Sequence, residues 1–578
     1  MHRLRRHAVA RGGATAFRLL HGASGALSQL SFGQLDRLVD AAAAWLRFEQ
    51  GERVTGQRVV LLFEPGLEFV VALLACMRAG CVAVPLRPPR TDVEHAALQG
   101  IVRKVDARLL LVDAATRVRG VHRGVCDEAG CRLRVLDWLQ DASAVATILA
   151  CCDAEDADGS DDAFLQFTSG STGDPKGVVV RHDHILANQQ VIEAAFGHDQ
   201  RTTTVSWLPH FHDMGLIGTI LQPLYLGRPC HLMAPATFLQ RPLRWLRAIA
   251  DAGCVTSGGP NFAFQHCVTS ITDRELENGP PLDLSGWRLA FVGAEPVRAE
   301  TMRRFVERFA RFGFDAGALY PCYGLAESTL MVTGGDAGHG VRARLLDRAV
   351  LDQGRVQPAE PGEGSVEVVS CGRVRGGQQV VVVDPDRRIA LPDGEVGELW
   401  VRGPSVAAGY YQDEVATRER FAATLRDDDP ARYLRTGDLG FVQDGELFVT
   451  GRLGSRIILN GRKFYPQDVE AGIAALHPSF RAGGTAAFAV ATETGANLVI
   501  VQEVRGRQAR DLDAKAVLRA ARAQISSRFG VRLHDLVLTR DSLLRTSSGK
   551  LRHAHNRQCY LGGGFRRVAT SPPRVEHA

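Results

Sequence analysis

Apolar and polar positions follow two different patterns along the 578 residues of this chain. In the first half, short apolar runs at 58–63 and 81–85 predict buried strands, and the segment 67–79 between them has the spacing of a helix. The same unit recurs as a predicted strand at 288–292 followed by a helix over 299–312. Strands that alternate with helices indicate doubly wound parallel sheets, so we expect a large α/β domain.

Two signals near the N-terminus predict helices. Ser31 and Gln34 have the spacing of a capping box, in which each side chain satisfies the other residue's backbone N–H. The basic segment 1–7 is not followed by the apolar run of a signal peptide, so we interpret it as the exposed face of a first helix. Behind the capping box, apolar residues recur on one helical face: Leu35, Leu38, Val39, Ala42, Trp45 and Leu46.

From about residue 365 the pattern changes to short strands with alternating apolar residues and glycine turns. The segments 379–383, 397–401 and 446–449 show it, and their spacing is typical of a small β-barrel or antiparallel sheet. We therefore expect a β subdomain at the end of the large domain.

The chain is longer than one hydrophobic core supports, so more than one domain is expected. We predict an N-terminal domain over 1–453, with an insertion at about 334–369, and a small mobile α+β domain over 454–562. The polar segment 563–578 includes Ser571-Pro-Pro573 and is predicted to be a disordered tail.

Composition narrows the class of protein without naming its chemistry. Hydrophobic residues make up 45% of the chain and charged residues 23%, as in ordinary globular enzymes. The formal net charge of +5 comes from arginines spread along the chain, which argues against a nucleic-acid partner. No apolar run approaches the roughly eighteen residues of a membrane helix, so no membrane span is predicted. The twelve cysteines lack zinc-ligand spacing and indicate reduced thiols in a cytoplasmic protein.

A loop rich in glycine and hydroxyl residues lies between two apolar runs, 163–167 and 178–180. Glycines let backbone N–H groups approach an anion, hydroxyls add donors and a lysine adds positive charge, so the pattern predicts a phosphate-binding hairpin. It is not a Walker loop, because Pro175 occupies the position before the lysine that needs glycine. A flexible linker is the alternative, and the closely flanking strands argue against it. The predicted phosphate ligands are Thr168, Ser169, Gly170, Ser171, Thr172, Gly173 and Lys176.

Further polar residues lie at the ends of apolar runs, where their burial needs a functional reason. They are His210, His212 and Asp213 at one turn, Glu295 after Gly293 and Ala294, Glu327 after Tyr323 and Gly324, Asp438 after a Thr-Gly pair, and Lys550 on a Ser-Gly turn. In this order and spacing, together with the glycine loop, they resemble the adenylate-forming superfamily of acyl-CoA synthetases, peptide-synthetase adenylation domains and luciferases. The resemblance covers roughly residues 5–562.

Within that superfamily the chain resembles the fatty acyl-AMP ligases. These ligases carry an extra segment after the Tyr-Gly-Leu-Ala-Glu motif, and here 334–369 fills that place ahead of Ser370-Cys-Gly-Arg373. In the family, that insertion packs on the N-terminal domain and hinders the closure that would let coenzyme A react. The other matching segments are 85–90, 205–209, 212–216, 238–245 and 260–264.

The resemblance implies that a fatty-acid carboxylate attacks the α-phosphorus of ATP and that pyrophosphate leaves. Positioning and charge neutralisation then supply most of the catalysis. By resemblance, Lys550 pairs with the attacking carboxylate and the α-phosphate, and His212 walls off the carboxylate end of the acyl chain. Glu327 is implied as the Mg²⁺ ligand, a hard oxygen donor for a hard cation.

The resemblance also implies how the nucleotide is held. The loop 168–177 would bind the β- and γ-phosphates, with Lys176 beside the leaving pyrophosphate. Tyr323 and Gly324 would lie against adenine, with Gly293, Ala294 and Glu295 on its other side. Asp438 would accept hydrogen bonds from both ribose hydroxyls, and Arg452 would reach the ribose or a phosphate. Aromatic lining of an acyl tunnel has the same pattern as ordinary core, and the tunnel candidates are Phe211, Met214, Asn261, Phe262 and Phe264.

One position departs from the family. Gly454 stands where the superfamily has an Asp or Lys hinge, two residues after Arg452. Glycine frees the backbone there, so we expect rotation of the C-terminal domain to be easier and less restrained.

These observations predict an enzyme that uses ATP and Mg²⁺ to convert a medium- or long-chain fatty acid to acyl-AMP. It would then pass the acyl group to the phosphopantetheine thiol of a separate acyl carrier protein. A fatty acyl-CoA ligase is the closest alternative. A non-catalytic adenylate-binding module is the second, and the presence of Lys550, Glu327 and Asp438 argues against it.

Overall fold

The computed structural model describes residues 1–20, 27–50, 54–120, 125, 130–151, 160–169, 175–362, 364–426, 430–455, 457–459, 462–492, 495–505, 512–545 and 551–568. The predicted loop ligands Gly170, Ser171, Thr172 and Gly173, and the predicted catalytic Lys550, lie outside the described residues.

Helices and strands alternate through the first half of the chain, as the hydrophobic pattern predicts. The capping box forms at the start of the helix Phe32–Gln50: the Ser31 N–H donates to Gln34 Oε1 at 2.9 Å, and the Gln34 N–H donates to Ser31 Oγ at 3.2 Å. No helix in the described part of the chain is long and apolar enough to cross a membrane. The α-helices are His2–Arg11, Phe32–Gln50, Leu67–Ala79, Asp92–Lys104, Ala114–Val118, Ala142–Cys151, His182–Phe196, Asp213–Gly215, Gln222–Leu226, Pro235–Gln240, Leu243–Ala252, Asn261–Ser270, Asp273–Glu277, Ala299–Phe309, Arg348–Asp352, Glu414–Phe421, Pro466–Ala474, Ala514–Phe529 and His553–Leu561.

A six-stranded sheet carries the predicted phosphate loop at its edge. Along its central strand, Val59 and Leu61 pack into one hydrophobic cluster while Val60 and Leu62 pack into another. Both faces of the sheet are therefore covered, as the near-continuous apolar runs require. Its strands in spatial order are Arg132–Val135, Leu109–Val112, Arg58–Leu62, Val82–Leu86, Asp162–Ser169 and Pro175–Arg181, with only the last pair antiparallel.

A nine-stranded sheet forms the second α/β layer. The strands Trp287–Val292 and Leu319–Gly324 run parallel, so their carboxyl ends, which precede Glu295 and Glu327, meet at one edge. Fully buried Trp245 and Trp287 pack edge to face beside them at 5.1 Å between ring centroids. The strands in spatial order are Arg373–Val374, Met331–Gly334, Leu319–Gly324, Trp287–Val292, Val255–Gly259, Thr203–Ser206, Cys230–Met233, Thr15–Leu20 and Gln29–Ser31.

A five-stranded antiparallel sheet confirms the change of pattern after residue 365. It carries Asp438 on its fourth strand and Arg452 at the end of its fifth, and these two residues are register partners. Its strands in spatial order are Ile389–Ala390, Gln379–Asp384, Gly397–Arg402, Leu434–Gln443 and Glu446–Arg452.

The insertion forms a hairpin of Ala343–Asp347 and Ser365–Val369. Its Leu346 and Val368 pack on Phe441 and Phe448 of the five-stranded sheet. A salt bridge of 2.6 Å between Arg303 and Glu367 joins it to the helix Ala299–Phe309. The insertion therefore lies against the N-terminal domain.

A small α+β unit follows the five-stranded sheet. It contains a three-stranded sheet of Phe480–Thr492, Gly495–Val504 and Leu533–Thr539, and a two-stranded one of Ile457–Leu459 and Arg462–Phe464. Residues 563–568 are part of it: Phe565 packs on its core, and the Val568 N–H donates to Leu538 O at 2.8 Å. The segment predicted as a tail is therefore packed up to Val568, and 569–578 lie outside the described residues.

Candidate active site

The predicted phosphate-binding loop joins two paired strands, Asp162–Ser169 and Pro175–Arg181. Thr168 pairs with Lys176 and Ser169 with Pro175, so both ends of the loop are held together by the ladder. Lys176 Nζ lies 3.7 Å from Asp413 Oδ2 and 4.9 Å from the centre of the Tyr410 ring. The hairpin is confirmed, and its lysine is directed toward the segment that follows the five-stranded sheet's third strand.

Glu327 lies on a tight turn that immediately follows the strand Leu319–Gly324. A side chain at Gly324 would clash with the carbonyl of Leu330, which accepts the Leu325 N–H at 2.9 Å, so only glycine fits. Thr329 has φ +65°, an unfavourable conformation for a β-branched residue. Its buried Oγ1 donates to Ser405 O at 2.6 Å, and such contacts keep a strained turn in place.

A segment between the third and fourth strands of the antiparallel sheet joins the phosphate hairpin to the Glu327 turn. The Tyr411 N–H donates to Gly177 O at 2.7 Å, and the Val179 N–H donates to Gly409 O at 2.9 Å. At its other end, the Ala407 N–H donates to Glu327 O at 2.9 Å. Residues 407–411 therefore run as an extra strand beside the hairpin.

Tyr410 in this segment was missed by the sequence reasoning. Its hydroxyl donates to Glu327 Oε1 at 2.8 Å. Burial, and next the charge of Glu327, raise the pKa of the Tyr410 phenol well above its ordinary value, so the hydroxyl remains a donor. The only sequence signal is the glycine before it, Gly409, which adopts φ +142°.

Asp438 is held by two side chains, Tyr323 and Arg452, to which the family resemblance gives roles in nucleotide binding. The Tyr323 hydroxyl donates to Oδ2 at 2.8 Å, and Arg452 Nε donates to Oδ1 at 2.7 Å. Burial, and next the Asp438 charge, raise the pKa of Tyr323 well above its ordinary value, while Asp438 raises the pKa of Arg452. Each carboxylate oxygen keeps a further lone pair, so two more hydroxyls can be accepted.

The two carboxylates Glu327 and Asp438 both act on the Arg452 guanidinium. Glu327 contributes to the raised pKa of Arg452, after Asp438, so its charge lies within electrostatic range of that guanidinium. Tyr410 thus connects Glu327 with Lys176, and Asp438 connects Tyr323 with Arg452.

The loop Gly293–Glu295 follows the strand Trp287–Val292. Ala294 takes φ +64°, and Glu295 Oε1 accepts the Phe262 N–H at 2.6 Å. This bond ties the loop to the start of the helix Asn261–Ser270. Glu295 therefore stabilises the turn through this hydrogen bond. A contact between Glu295 and adenine stays a prediction.

His212 caps the short helix Asp213–Gly215. Its Nδ1 lies 2.6 Å from Asp213 Oδ1, which also accepts the Met214 N–H at 2.7 Å. The Met214 N–H also lies 3.3 Å from His212 Nδ1, so the start of this helix engages both side chains. Gln166 Nε2 donates to Phe211 O at 2.7 Å, which attaches this turn to the phosphate hairpin.

The neighbouring His210 is a buried core histidine. Its ring lies 4.2 Å from that of Phe69, and burial lowers its pKa to about 3, so it is neutral at physiological pH. Among the tunnel candidates, Phe264 stacks near Trp287 at 6.1 Å and meets Phe305 edge to face at 5.0 Å, fully buried. Phe264 therefore packs the core, whereas Phe262 is 36% exposed.

The donor set favours a cation that arrives with phosphates. Among the described residues, no group of three or more His, Cys, Asp or Glu is arranged to hold a metal ion. Glu327 offers one half-buried carboxylate beside the phosphate hairpin. That arrangement fits Mg²⁺, which is commonly bound through one or two carboxylates plus substrate phosphates.

The predicted boundary between the domains, at 453–454, directly follows Arg452. Gly454 is in the short 3₁₀ turn Leu453–Ser455, two residues after Arg452, and it does not use a positive φ in this conformation. Arg348 of the insertion contacts the C-terminal unit: its Nη1 lies 3.1 Å from Asp468 Oδ2, and its guanidinium lies 5.9 Å from the Phe529 ring centre.

Known proteins share this sequence and fold. The chain matches the AMP-binding enzyme family over residues 4–411. It is 38% identical over 558 residues to a medium-chain fatty-acid–acyl-carrier-protein ligase of Moorena producens, covering 95% of this chain and 92% of that protein. It is 34% identical over 605 residues to a long-chain fatty-acid–AMP ligase of Mycolicibacterium smegmatis, covering 97% of this chain and 94% of that protein.

A solved structure extends the likeness to three dimensions. It is the fatty acyl-adenylate ligase of L. pneumophila in complex with acyl adenylate and pyrophosphate, which matches with a TM-score of 0.74 and 35% identity over 97% of this chain and 95% of that one. The chain therefore belongs to the AMP-binding enzyme family, and its resemblance to the fatty acyl-AMP ligases is confirmed.

Proposed function

We propose that this enzyme condenses a medium- or long-chain fatty acid with ATP to acyl-AMP and pyrophosphate, and transfers the acyl group to an acyl carrier protein. The observation that carries the proposal is a chain of contacts between elements of three different sheets. Tyr410 contacts both Lys176 and Glu327, and the charges of Glu327 and Asp438 both act on Arg452. The relatives named above act on fatty acids, which supports the substrate class.

The residues act by holding charges in place. Lys176 and the loop 168–177 bind the β- and γ-phosphates, and Asp438 accepts hydrogen bonds from the ribose hydroxyls through its remaining lone pairs. Tyr323, fixed through its hydroxyl to Asp438, presents its ring to adenine. Glu327 holds Mg²⁺, which supplies neutralisation of phosphate charge when bound.

In the first step, an oxygen of the fatty-acid carboxylate forms a bond to the α-phosphorus, and the bond from that phosphorus to pyrophosphate breaks. Lys550, outside the described residues, pairs with both anions, and His212 borders the carboxylate. In the second step, the thiol sulfur attacks the acyl carbonyl, the thiol proton goes to solvent and AMP leaves.

Two observations support a carrier protein over coenzyme A as the acceptor. The insertion packs on the five-stranded sheet and also contacts Asp468 of the C-terminal domain through Arg348, so it restrains the domain rotation that thiol access needs. One relative is named as a ligase for acyl carrier protein. Buried free thiols such as Cys76 and Cys230 support a reducing compartment, and we place the enzyme in the cytoplasm.

The deciding experiment uses the purified protein with ATP, Mg²⁺ and a mixture of fatty acids. We expect pyrophosphate release and a trapped acyl-AMP whose mass identifies the acyl chain, followed by thioester formation on a holo-carrier protein. Efficient acyl-CoA formation with no preference for the carrier would instead identify an acyl-CoA ligase. Lys550→Ala is expected to abolish pyrophosphate release, and a variant that retained it would remove the role assigned to this lysine.

A further inference from the structure

Tyr410 contacts both the predicted metal carboxylate and the predicted phosphate lysine. We propose that Tyr410 is a positioning residue that fixes Glu327 relative to Lys176, and thereby sets the affinity of the site for a divalent cation bound with ATP. This inference rests on the proposed function, because it gives Glu327 and Lys176 the roles described there.

The backbone around Tyr410 is hydrogen-bonded both to the phosphate hairpin and to the Glu327 turn. Its neighbours bond to Gly177 and Val179 of the phosphate hairpin at 2.7 to 3.1 Å, and Ala407 bonds to the carbonyl of Glu327 at 2.9 Å. Tyr410 itself pairs with Val178 across the extra strand. A displacement of Glu327 relative to the hairpin would therefore have to break this segment's hydrogen bonds.

The side chain completes the connection. The hydroxyl donates to Glu327 Oε1 at 2.8 Å, while Lys176 Nζ lies 4.9 Å from the ring centre, within the range of a cation–π contact. Phe421 meets the ring edge to face at 5.1 Å, and the residue is only 7% exposed. One rigid side chain thus fixes the spacing between a negative and a positive group.

The hydrogen bond also orients the carboxylate. It engages Oε1 and leaves Oε2 for a cation, because a carboxylate has lone pairs on both oxygens. Groups that orient a metal ligand without touching the metal typically change metal affinity or activity by about 10- to 100-fold when removed. A purely structural role for the hydroxyl would change stability and leave metal affinity unaltered.

The test measures cation binding directly. Mn²⁺ replaces Mg²⁺ as an electron paramagnetic resonance probe, and α,β-methylene-ATP replaces ATP because its α–β linkage cannot be cleaved. Tyr410→Phe keeps the ring over Lys176 and against Phe421 but removes the hydroxyl. We expect the Kd for Mn²⁺ in the presence of the analogue to rise about tenfold, while analogue binding measured in EDTA changes less than about twofold.

The neighbouring tyrosine provides a matched control. Successive residues of an extended segment point to opposite faces, and Tyr411 packs in a different cluster near Arg58. Tyr411→Phe should leave both binding constants unchanged. An unchanged Mn²⁺ Kd in Tyr410→Phe, or an equal rise in Tyr411→Phe, would overturn the proposal.

A double variant separates positioning from folding. In a Glu327→Gln background, Tyr410→Phe should produce no further loss of Mn²⁺ affinity, because the hydroxyl acts through that carboxylate. Additive losses would refute the proposal. If the wild-type protein forms acyl-AMP while Tyr410→Phe binds Mn²⁺ normally, only this inference fails; if the wild type does not bind the analogue at all, the proposed function fails with it.

Discussion

Asp438→Asn gives a sharp test of the nucleotide site. The carboxylate accepts from the Tyr323 hydroxyl and from Arg452 and has one lone pair per oxygen left for ribose. An amide has a single acceptor oxygen, and its NH₂ group would face a donor. One ribose hydroxyl therefore loses its partner.

The magnitude follows from the kind of bond lost. A hydrogen bond to a charged group contributes about 1.5–3 kcal/mol. The Arg452 side chain is 53% exposed, so solvent screening limits its ion pair with Asp438 to about 1 kcal/mol or less. Taking about 2 kcal/mol for the ribose bond, we expect kcat/KM for ATP to fall roughly 30-fold.

The assay is pyrophosphate release at varied ATP, repeated with 2′-deoxy-ATP and 3′-deoxy-ATP. The wild-type enzyme should discriminate against both analogues, and Asp438→Asn should discriminate much less against the one that lacks the hydroxyl without a partner. Asp444→Asn is a matched control, because Asp444 lies in the same hairpin, is 69% exposed and pairs only with Arg344 in the described residues. Equal discrimination by the wild-type and Asp438→Asn enzymes would refute the assignment of Asp438 to ribose.

Three further predictions concern the contact between Arg348 and Asp468 and the stability of the protein at low and at high pH. Arg348→Ala removes the salt bridge to Asp468, whose two side chains are 12% and 28% exposed. If this bridge stabilises the contact by about 1 kcal/mol, its loss should raise the rate of acyl transfer to coenzyme A about fivefold, while acyl-AMP formation changes little. An unchanged transfer rate would show that the contact does not restrain the C-terminal domain. Burial lowers the pKa of His210 to about 3 and that of His198 to about 4. As the pH drops below about 6.5 the unfolded chain binds protons that the folded protein does not, so the free energy of unfolding should fall by about 1.4 kcal/mol per pH unit for each histidine. Urea titrations of His210→Phe should show a smaller decrease over this acidic range. Burial raises the pKa of Cys81, Cys322 and Cys371 to about 12. Above about pH 8.5 these thiols lose protons in the unfolded chain but keep them in the folded protein, so the free energy of unfolding should fall as the pH rises. Cys371→Ala should make this decrease less steep.

Elements set by local sequence were predictable. The apolar run at 58–63 became the strand Arg58–Leu62, the helix Leu67–Ala79 kept both predicted ends, and the Ser31–Gln34 capping box formed. Each depends on residues close together in the chain, so periodicity and capping chemistry suffice.

Partnerships across long sequence distances were not predictable. Tyr410 reaches Glu327 across 83 residues, and Arg348 reaches Asp468 across 120. No local pattern marks them, because they depend on how separate sheets pack. Thr329 and Ala294 likewise adopt positive φ without glycine, since the surrounding tertiary contacts hold them there.

With Asp438 bound to ribose as proposed, its pairing with Arg452 would link nucleotide occupancy to the predicted domain boundary. Arg452 ends the last strand of the five-stranded sheet, and the turn Leu453–Ser455 begins immediately after it. A rotation about that turn that drew the guanidinium away would remove one donor from the ribose carboxylate. Coupled equilibria are reciprocal, so a bound nucleotide would oppose that rotation by the same free energy by which the rotation weakens nucleotide binding. Under the proposed function, departure of AMP and rotation of the C-terminal domain would then be coupled in a single equilibrium.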